Sequence, residues 1–239
     1  MYLIDKTFPE PWENLSCDEA LLDMCENGFQ GEILRFWEPR RHFVVLGFGS
    51  NAAAEVDLGA CRARGIPLLR RYSGGATVLQ GPGCLNYSLI LRIPRLGLLS
   101  TITGTTSFVM ERNARAIQPF VPDPISVRGY SDLTIREAKF SGNAQRRKHR
   151  FLLFHGTLLL NFDIPLAGAV LRMPARQPDY RRQRPHVEFL TNLGLPPDSA
   201  REALRKEWNA SIPLPGLPET AIRNLATERY AQESWTFRR

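Results

Sequence analysis

Residues 70–83, with the sequence RRYSGGATVLQGPG, bring two arginines, a hydroxyl group, a glycine pair and a second glycine-rich turn into one short segment. Glycine permits positive φ angles and lets the backbone come close to a ligand. Successive N–H groups in such a turn form a concave anion site, and an arginine adds a forked donor suited to phosphate or carboxylate. An isolated Gly-Gly pair would indicate a solvated hairpin. The density of features here favours a ligand-binding loop.

This segment is not a P-loop, because the chain contains no run of Gly, four residues and Gly-Lys-Ser/Thr. It also does not open a helix in the Gly-x-Gly-x-x-Gly manner, since strand-like residues follow it. The sequence therefore predicts an anion site built on a sheet edge or hairpin.

The run Arg70-Arg71-x-Ser73-Gly74-Gly75 resembles the signature loop of the lipoate–protein ligase family, within the biotin/lipoyl ligase superfamily. Two further segments match in the same order. KFSGNAQ at 139–145 is similar to the family's Lys-x-Ser-Gly-x-Ala, and HGTLL at 155–159 is similar to its His-His-Gly-Thr-Leu-Leu. A weaker match is PWENL at 11–15, followed by two acidic residues. Because these segments span most of the chain, the sequence is identified as a member of this family.

The resemblance implies a class II synthetase-like α+β fold, with a largely antiparallel sheet flanked by helices, in a single catalytic domain of residues 1–239. Residues 211–239 are expected to form a short C-terminal extension. Many members carry a further accessory domain, for which the tail after Trp208 is too short. We therefore expect either a separate accessory subunit or an enzyme that works without one.

The activity that the resemblance implies is ATP-dependent lipoate–protein ligation. The carboxylate of lipoate or octanoate attacks the α-phosphate of ATP, with Mg²⁺ neutralising the phosphates. The acyl group then passes from acyl-AMP to a lysine of an acceptor lipoyl domain or glycine-cleavage H-like protein. Lys139 is the expected catalytic residue, because its ammonium can stabilise an acyl oxygen and a phosphate together.

By the same resemblance, Arg71 and the backbone of residues 76–79 contact the phosphates, and Asp132 lies near the adenylate or Mg²⁺. The residues expected to bind nucleotide or acyl-adenylate are Arg70, Arg71, Ser73, Gly74, Gly75, Ala76, Thr77, Val78, Leu79, Asp132, Ser141 and Gly142. Those expected to line the acyl pocket are His155, Gly156 and Thr157, with Trp37 and Leu46 as weaker candidates. A buried histidine with a purely structural role is an equal alternative for His155.

The sequence departs from the family pattern at several positions. Ala76 stands where the family commonly has a third glycine, Gln80 where it has a histidine, and Phe154 replaces the first histidine of the His-His-Gly pair. Gly81-Pro82-Gly83 also occurs in the related octanoyltransferases, which move octanoate from a carrier thioester through a cysteine. No cysteine follows Cys84, and we expect this residue to be packed in a strand. A biotin ligase is disfavoured because its Gly-Arg-Gly-Arg loop is absent. A non-enzymatic subunit that holds lipoylated proteins is the remaining alternative.

The composition is that of a globular protein, with 43% hydrophobic and 23% charged residues. The N-terminus lacks a secretory pattern and no run approaches a membrane span, which predicts a cytoplasmic protein. The four cysteines have no Cys-x-x-Cys or zinc spacing, which predicts buried thiols and no structural metal. The net charge of +7, with clusters at 146–150 and 181–184, favours an acidic acceptor protein. No nucleic-acid motif accompanies these clusters.

Periodicity predicts the elements that position these residues. Helices are expected at 11–27, 53–64, 101–117, 164–172, 199–208 and 219–229, and strands at 32–37, 42–48, 66–69, 84–93, 126–136 (broken by Gly129) and 151–162. The strand at 84–93 alternates, which leaves Asn86, Ser88 and Arg92 on a polar face available to a ligand. The segment 138–150 is expected to be a loop or hairpin over the ligand. The first helix is expected to leave its acids, Asp18, Glu19 and Asp23, in water.

Overall fold

A computed structural model describes residues 1–238. Its strands are β1 (Tyr2–Asp5), β2 (Ile33–Trp37), β3 (Phe43–Leu46), β4 (Leu68–Arg70), β5 (Val78–Gln80), β6 (Cys84–Arg92), β7 (Ile125–Arg128), β8 (Asp132–Ile135), β9 (Ala138–Arg147), β10 (Phe151–Leu159) and β11 (Ile212–Pro213). Its α-helices are α1 (Pro11–Glu26), α2 (Ala52–Glu55), α3 (Leu58–Ala63), α4 (Ile102–Ile117), α5 (Ile164–Val170), α6 (His186–Phe189), α7 (Pro197–Glu207), α8 (Glu219–Leu225) and α9 (Glu233–Thr236).

Across residues 1–238 the strands form two sheets. The larger has the order β11-β1-β2-β6-β10-β9-β8-β7 and the smaller β4-β3-β5. Neighbouring strands from β2 to β7 are antiparallel, while β1 runs parallel to β2 and to β11. Helices α1 and α4 pack against the larger sheet. The expected α+β fold with a largely antiparallel sheet is therefore confirmed.

Strand β6 lies inside the larger sheet, and its two faces differ. The odd-numbered residues from Leu85 to Leu91 fall on one face, because strand side chains alternate, and they join a core that includes apolar residues of α4. On the other face Ile90 packs in the cluster that contains α1. Asn86 and Ser88 share this second face and are buried. The predicted alternation is confirmed. Asn86 and Ser88 face a cleft, whereas Arg92 at the end of the strand is exposed to water.

Two acids of α1 are buried, so the prediction that they lie in water is wrong. Asp18 is 6% exposed and pairs with Arg35 of β2 at 2.6 Å. Glu19 is 4% exposed and accepts a hydrogen bond from the Tyr230 hydroxyl at 2.6 Å. An amphipathic pattern shows which face of a helix is apolar. It does not show that β2 and the C-terminal segment cover the polar face as well.

Three other expectations differ from the structure. The helix expected at 53–64 is split into α2 and α3, because the Asp57 carboxylate caps a new helix start. Helix α7 begins at Pro197, so Ser199 lies within its first turn and is not the N-cap. The segment 138–150 is mostly strand β9, since β8 and β10 pair with it on either side.

The C-terminal elements lie against the start of the chain. Strand β11 extends the larger sheet beside β1, and α8 and α9 pack against α1 and β4 respectively. Within residues 1–238, none of the helices combines the length and apolar character that crossing a membrane requires.

Candidate active site

Four neighbouring strands, β2, β6, β10 and β9, form the floor of a cleft. Two rows of side chains cross these strands on the same face. One row consists of Trp37, Asn86, Thr157 and Gly142, and the adjacent row of Arg35, Ser88, His155 and Ala144. The floor is therefore polar in its middle and has only small residues on β9, where a ligand can lie close to the strand.

The signature loop joins β4 to β5 above this floor, and its own arginine holds it in shape. The Arg71 guanidinium donates hydrogen bonds from Nη2 to the carbonyl oxygens of Gly74 at 2.6 Å and Ala76 at 2.9 Å. Gly75 between them has a φ of 88°, in the left-handed region that favours glycine. Burial lowers the pKa of Arg71 to about 10, which still leaves it charged at neutral pH. If Arg71 also binds a phosphate, as the resemblance implies, the phosphate and the two loop carbonyls would have to share the donors of one guanidinium.

Arg70 is 1% exposed and bonds to main-chain carbonyls from distant parts of the chain. Its guanidinium donates to the carbonyls of Gly47 and Ser50, each at 2.8 Å, and of Thr236 at 2.9 Å. The Trp235 indole N–H donates in return to the Arg70 carbonyl at 2.8 Å. Arg70 thus ties the base of the signature loop to the residues after β3 and to the C-terminal segment.

Two cavities with a common wall lie over the floor. The wall consists of Ala76, Val78, Gln80, Lys139, Gly142 and Thr157. The Arg181 cavity also includes Glu55, Thr77, Leu79, Ser141, Arg181 and His186. The Asp18 cavity also includes Leu15, Asp18, Trp37, Arg71, Ser88, His155 and Gly156. Most of the predicted site residues thus line one cavity or both, whereas Arg70, Ser73, Gly74, Gly75 and Asp132 line neither.

Lys139 stands where the two cavities meet. Its Nζ lies 2.7 Å from Asp132 Oδ1, and the Tyr180 hydroxyl donates to Asp132 Oδ2 at 2.7 Å. A Cβ at position 142 would lie 2.8 Å from the Lys139 Nζ, so Gly142 leaves the space that the ammonium occupies. Lys139 was expected in a flexible loop, and this is wrong, because it lies in β9. The strand and the carboxylate hold the ammonium in one place.

Arg181 is a site residue that the sequence analysis missed. It is 5% exposed, and its Nη2 is buried without a hydrogen-bond partner anywhere in residues 1–238. Its Nε donates to the Arg184 carbonyl at 3.1 Å, and its guanidinium carbon lies 4.6 Å from the Phe189 ring centroid. Burial, together with the charges of Arg181 and Lys139, lowers the pKa of His186 to about 4. A buried guanidinium with an unmet donor is suited to an anion.

Ser73 and His155 connect the signature loop to the floor. Ser73 Oγ lies 2.5 Å from His155 Nε2. Burial and the neighbouring charge of Arg71 lower the pKa of His155 to about 3, so the imidazole is neutral at physiological pH. His155 lines the Asp18 cavity, and its neutral ring adds no positive charge to this wall.

A closed ring of hydrogen bonds joins two residues of the common wall to Asn86 of the Asp18 cavity. Gln80 Nε2 donates to Thr157 Oγ1 at 2.7 Å, Thr157 Oγ1 donates to Asn86 Oδ1 at 2.5 Å, and Asn86 Nδ2 donates to Gln80 Oε1 at 3.0 Å. Gln80, which occupies the position of the family's histidine, thus belongs to a neutral network that does not titrate. The polar face of β6 pointed to Asn86, but no sequence pattern joined it to Gln80.

The residues around Asp132 do not fit a protein-bound Mg²⁺. Both carboxylate oxygens are already used by Lys139 and Tyr180. In the part of the chain that the structure describes, no group of three or more His, Cys, Asp or Glu side chains is placed to hold a metal ion. The geometry supports a role for Asp132 in orienting Lys139 and gives no support to its expected role as a Mg²⁺ ligand.

The cysteines lie away from this chemistry. All four are buried and unpaired, and among residues 1–238 none of them lines either cavity. Burial raises the pKa of the Cys84 thiol to about 12, and the residue packs in the cluster that contains Val44. The prediction that Cys84 is a packed strand residue is confirmed. Leu46 lies in the same cluster and not in a cavity wall.

The basic cluster at 146–150 makes contacts within the chain. Arg147 donates to the carbonyls of Leu99 at 2.8 Å and Ser100 at 3.1 Å. Lys148 pairs with Asp23, and Arg150 bonds to the main chain and carboxylate of Glu26. The positive charge of this cluster is therefore partly offset by neighbouring carboxylates, and the cluster is less available to attract an acidic partner.

The fold is that of a known protein family. Residues 10–203 match the family model of the lipoyl protein ligase A/B catalytic domain, and the chain belongs to this family. It is 24% identical over 271 residues to octanoyltransferase LipM of Geobacillus kaustophilus, with 99% of this chain and 97% of the relative covered.

Two solved structures share the fold. One is from a study of the bi-partite lipoate protein ligase of Thermoplasma acidophilum and its E2 lipoyl domain. It superposes with a TM-score of 0.84 at 23% identity, covering 99% of this chain and 95% of that one. The other, a lipoate-protein ligase A bound with ATP, gives a TM-score of 0.82 at 24% identity, covering 99% and 98%. The family therefore includes both lipoate ligases and octanoyltransferases, and the chain is an enzyme of this group.

Proposed function

We propose that this protein is an ATP-dependent lipoate–protein ligase, which activates lipoate or octanoate as acyl-AMP and transfers the acyl group to a lysine of an acceptor protein. The observation that carries the proposal is the position of Lys139 in the common wall of the two cavities. An ammonium at such a junction can contact a phosphate from one side and a carboxylate from the other.

The Arg181 cavity suits the nucleotide. Arg181 supplies a buried, permanently charged donor with an unmet N–H, and Lys139 adds a second positive charge. The backbone and hydroxyl of Thr77 stand at the same wall, where Thr77 Oγ1 donates to Glu55 at 2.6 Å. A polyphosphate would satisfy the guanidinium and remain bound in a site that partly excludes water. The solved fold with bound ATP makes the same ligand reasonable here.

The Asp18 cavity suits the acyl chain. Its wall combines apolar side chains such as Leu15, Trp37 and Val45 with neutral groups of the floor. Asp18 also lines this wall, and its carboxylate is paired with Arg35 at 2.6 Å. A chain that enters at Lys139 would run across the strands towards α1. Its carboxylate would then lie beside the ammonium, where the α-phosphate also arrives.

The chemistry then needs no nucleophile from the protein. A carboxylate oxygen attacks the α-phosphorus, and the bond from that phosphorus to the bridging oxygen breaks as pyrophosphate leaves. The acceptor amine next attacks the acyl carbon, AMP leaves, and the amine nitrogen loses a proton. Lys139 stabilises the charge that develops on the phosphate and acyl oxygens, while Asp132 and Tyr180 keep it oriented. Holding both reactants in line contributes much of the rate.

The acceptor in this proposal is a lipoyl domain or glycine-cleavage H-like protein. A lipoyl domain accompanies the Thermoplasma ligase of the same fold. That ligase is bi-partite, so a separate accessory subunit is also part of the proposal.

A thioester-dependent octanoyltransferase is the second candidate, because a relative of this type matches nearly the whole chain. It requires a cysteine nucleophile at the acyl group. The buried thiol of Cys84, with its raised pKa, is a poor nucleophile. The absence of any cysteine from the described walls of both cavities favours the ligase.

Intact-mass analysis of an acceptor lipoyl domain tests the two candidates together. The protein is incubated with lipoate or octanoate and magnesium-ATP, or with octanoyl-carrier protein without ATP. We expect an ATP-dependent mass gain that is lost in Lys139→Ala and strongly reduced in Arg181→Met. Lys206→Ala, a lysine paired with Glu202 on α7 and outside both cavities, is the matched control. A gain only from the carrier thioester would reject the ligase.

A further inference from the structure

A glycine of β10 lets two side chains meet on the face of the sheet opposite the cleft. Gly156 pairs with Tyr87 of β6 and with Asn143 of β9. Because the neighbours of Gly156 in β10 face the cleft, position 156 faces the core. A Cβ there would collide with the Asn143 side chain and lie 2.8 Å from the Tyr87 hydroxyl. The missing side chain leaves the space in which the Tyr87 hydroxyl donates to Asn143 Oδ1.

The Tyr87 end of this contact is anchored in the core. Tyr87 is fully buried, and burial raises the pKa of its hydroxyl, which therefore stays protonated and donates. Asn113 of α4 lies beside the hydroxyl, and its Oδ1 accepts a hydrogen bond from the Trp208 indole at 2.8 Å. One end of the Asn143 amide is thus held by a close-packed part of the molecule.

The other end of the Asn143 amide holds a turn. Its Nδ2 donates to the Ser131 carbonyl at 2.7 Å, and Ser131 Oγ donates to the Asn143 carbonyl at 2.8 Å. Ser131 closes the turn between the edge strand β7 and β8 and immediately precedes Asp132. The tip of this turn is exposed, with Tyr130 at 94%. Exposed turns at sheet edges are typical of the less stable parts of a fold, and the two bonds join this one to the core.

We propose that Asn143 is a positioning residue for the reaction at Lys139. Through Ser131 it fixes the start of β8, which carries the Asp132 carboxylate, and this carboxylate holds the Lys139 ammonium at 2.7 Å. The inference deepens the proposed function and rests on it. Asn143 occupies a variable position of the Lys-x-Ser-Gly-x-Ala segment, so the family resemblance assigns it no role.

Asn143 also lines the Asp18 cavity, so a direct contact with the acyl group is the alternative. Its amide is already used within the chain. Oδ1 accepts from Tyr87, and Nδ2 donates to Ser131 and, at 3.3 Å, to Ser141 Oγ. A residue that acts only by placing the ammonium changes the rate of the reaction and not the binding of lipoate. The two roles therefore differ in whether kcat or KM changes.

Steady-state kinetics of ATP–pyrophosphate exchange with lipoate distinguish these roles. Asn143→Ala should lower kcat on the order of tenfold, less than the roughly 100-fold effect of a full ångström of misplacement, because Tyr180 still holds Asp132. KM for lipoate should stay within about twofold. Ser131→Ala removes one bond from a partly exposed turn, is expected to fold, and should lower kcat several-fold. A raised KM with an unchanged kcat would overturn the proposal.

Gln118→Ala is the matched control for a general loosening of the β7–β8 hairpin. Gln118 Oε1 accepts from the Ile125 N–H at 2.9 Å and Nε2 donates to the Asp123 carbonyl at 3.1 Å, so this amide holds the other end of β7. It lines neither cavity. Gln118→Ala should lower the urea midpoint as Asn143→Ala does and leave kcat unchanged. An equal loss of kcat in both variants would reject a specific role for Asn143.

A double-mutant cycle tests the route through Asp132. If Asn143 acts by placing the Asp132 carboxylate, Asn143→Ala should lower kcat no further in an Asp132→Asn protein. An undiminished effect in that background would reject this route.

Chemical labelling of Lys139 separates a failure of this inference from a failure of the ligase proposal. The protein is treated with limiting acetic anhydride, and the acetylation rates of Lys139 and Lys206 are compared by peptide mapping. Because a loosened ion pair frees the Lys139 amine, Asn143→Ala and Ser131→Ala should raise this ratio several-fold, and Gln118→Ala should not. Such a rise supports the inference even when the wild type forms no ATP-dependent product. An unchanged ratio in Asn143→Ala and Ser131→Ala would overturn it.

Discussion

Substitution of Gly142 by alanine should separate activity from stability. A Cβ at this position would lie 2.8 Å from both Cε and Nζ of Lys139, while the Asp132 carboxylate is 3.9 Å away. Ordinary contacts begin near 3.4 Å, so the ammonium must retreat by several tenths of an ångström or change rotamer. The obstructed atoms are the flexible end of a side chain, and alanine is better than glycine in a strand. We therefore expect the unfolding free energy to change by less than about 1 kcal/mol.

Activity should respond far more strongly. Displacement of a charge-stabilising group by a fraction of an ångström to an ångström lowers a rate on the order of 100-fold. The assays are ATP–pyrophosphate exchange with lipoate and urea unfolding of the same preparation. Gly216→Ala is the matched control, because a Cβ there meets nothing within 4 Å. Near-normal exchange in Gly142→Ala would show that the position of the Lys139 ammonium is not important, and a large loss of stability would show that the neighbouring side chain does not yield.

Three further predictions concern the cysteine, the neutral histidine and the buried arginine. Cys84→Ala should retain the ATP-dependent mass gain of the acceptor, and its loss would point to a thioester intermediate. His155 has an ordinary pKa of 6.5 that burial lowers to about 3, so the unfolded chain binds more protons between these values. The unfolding free energy should therefore fall as the pH decreases from 6.5, by at most about 1.4 kcal/mol per unit, and His155→Gln should flatten this dependence in urea titrations. Arg70→Met should cost about 3–5 kcal/mol in unfolding free energy, because it leaves buried carbonyls unpaired; a loss below about 1 kcal/mol would contradict the role assigned to Arg70.

The fold could be predicted from the sequence where local periodicity and the family resemblance agreed. The alternation of β6 predicted both its buried core face and the polar face on which Asn86 and Ser88 lie. The motif segments correctly brought the signature loop, Lys139 and the His155 segment to one cleft. These features depend on residues that are close together in sequence, or on motif segments that occur together in the family and so point to one common site.

Features that depend on contacts between residues far apart in sequence could not be predicted. Nothing in α1 indicated that Asp18 would meet Arg35 or that Glu19 would meet the hydroxyl of Tyr230. The segment at 138–150 was predicted as a loop because it is polar. It is a strand because β8 and β10 pair with it on both sides and satisfy its backbone, which lets it carry polar residues. Composition records only that a residue is charged and carries no information on what covers it.

The arginines illustrate the same limit at the site itself. The sequence predicted Arg70 and Arg71 as nucleotide ligands and placed Arg181 only in a basic cluster, yet the structure gives the three arginines different contacts. The first two donate to main-chain carbonyls and hold the loop in shape, whereas Arg181 retains a buried N–H without a partner in the described chain. The distinction follows from how many acceptors the fold brings to each guanidinium. An arginine with satisfied donors fixes geometry, and one with an unmet donor is available for a ligand. Within the proposed ligase function, we therefore assign nucleotide binding to Arg181 and Lys139 in preference to the arginine pair of the signature loop.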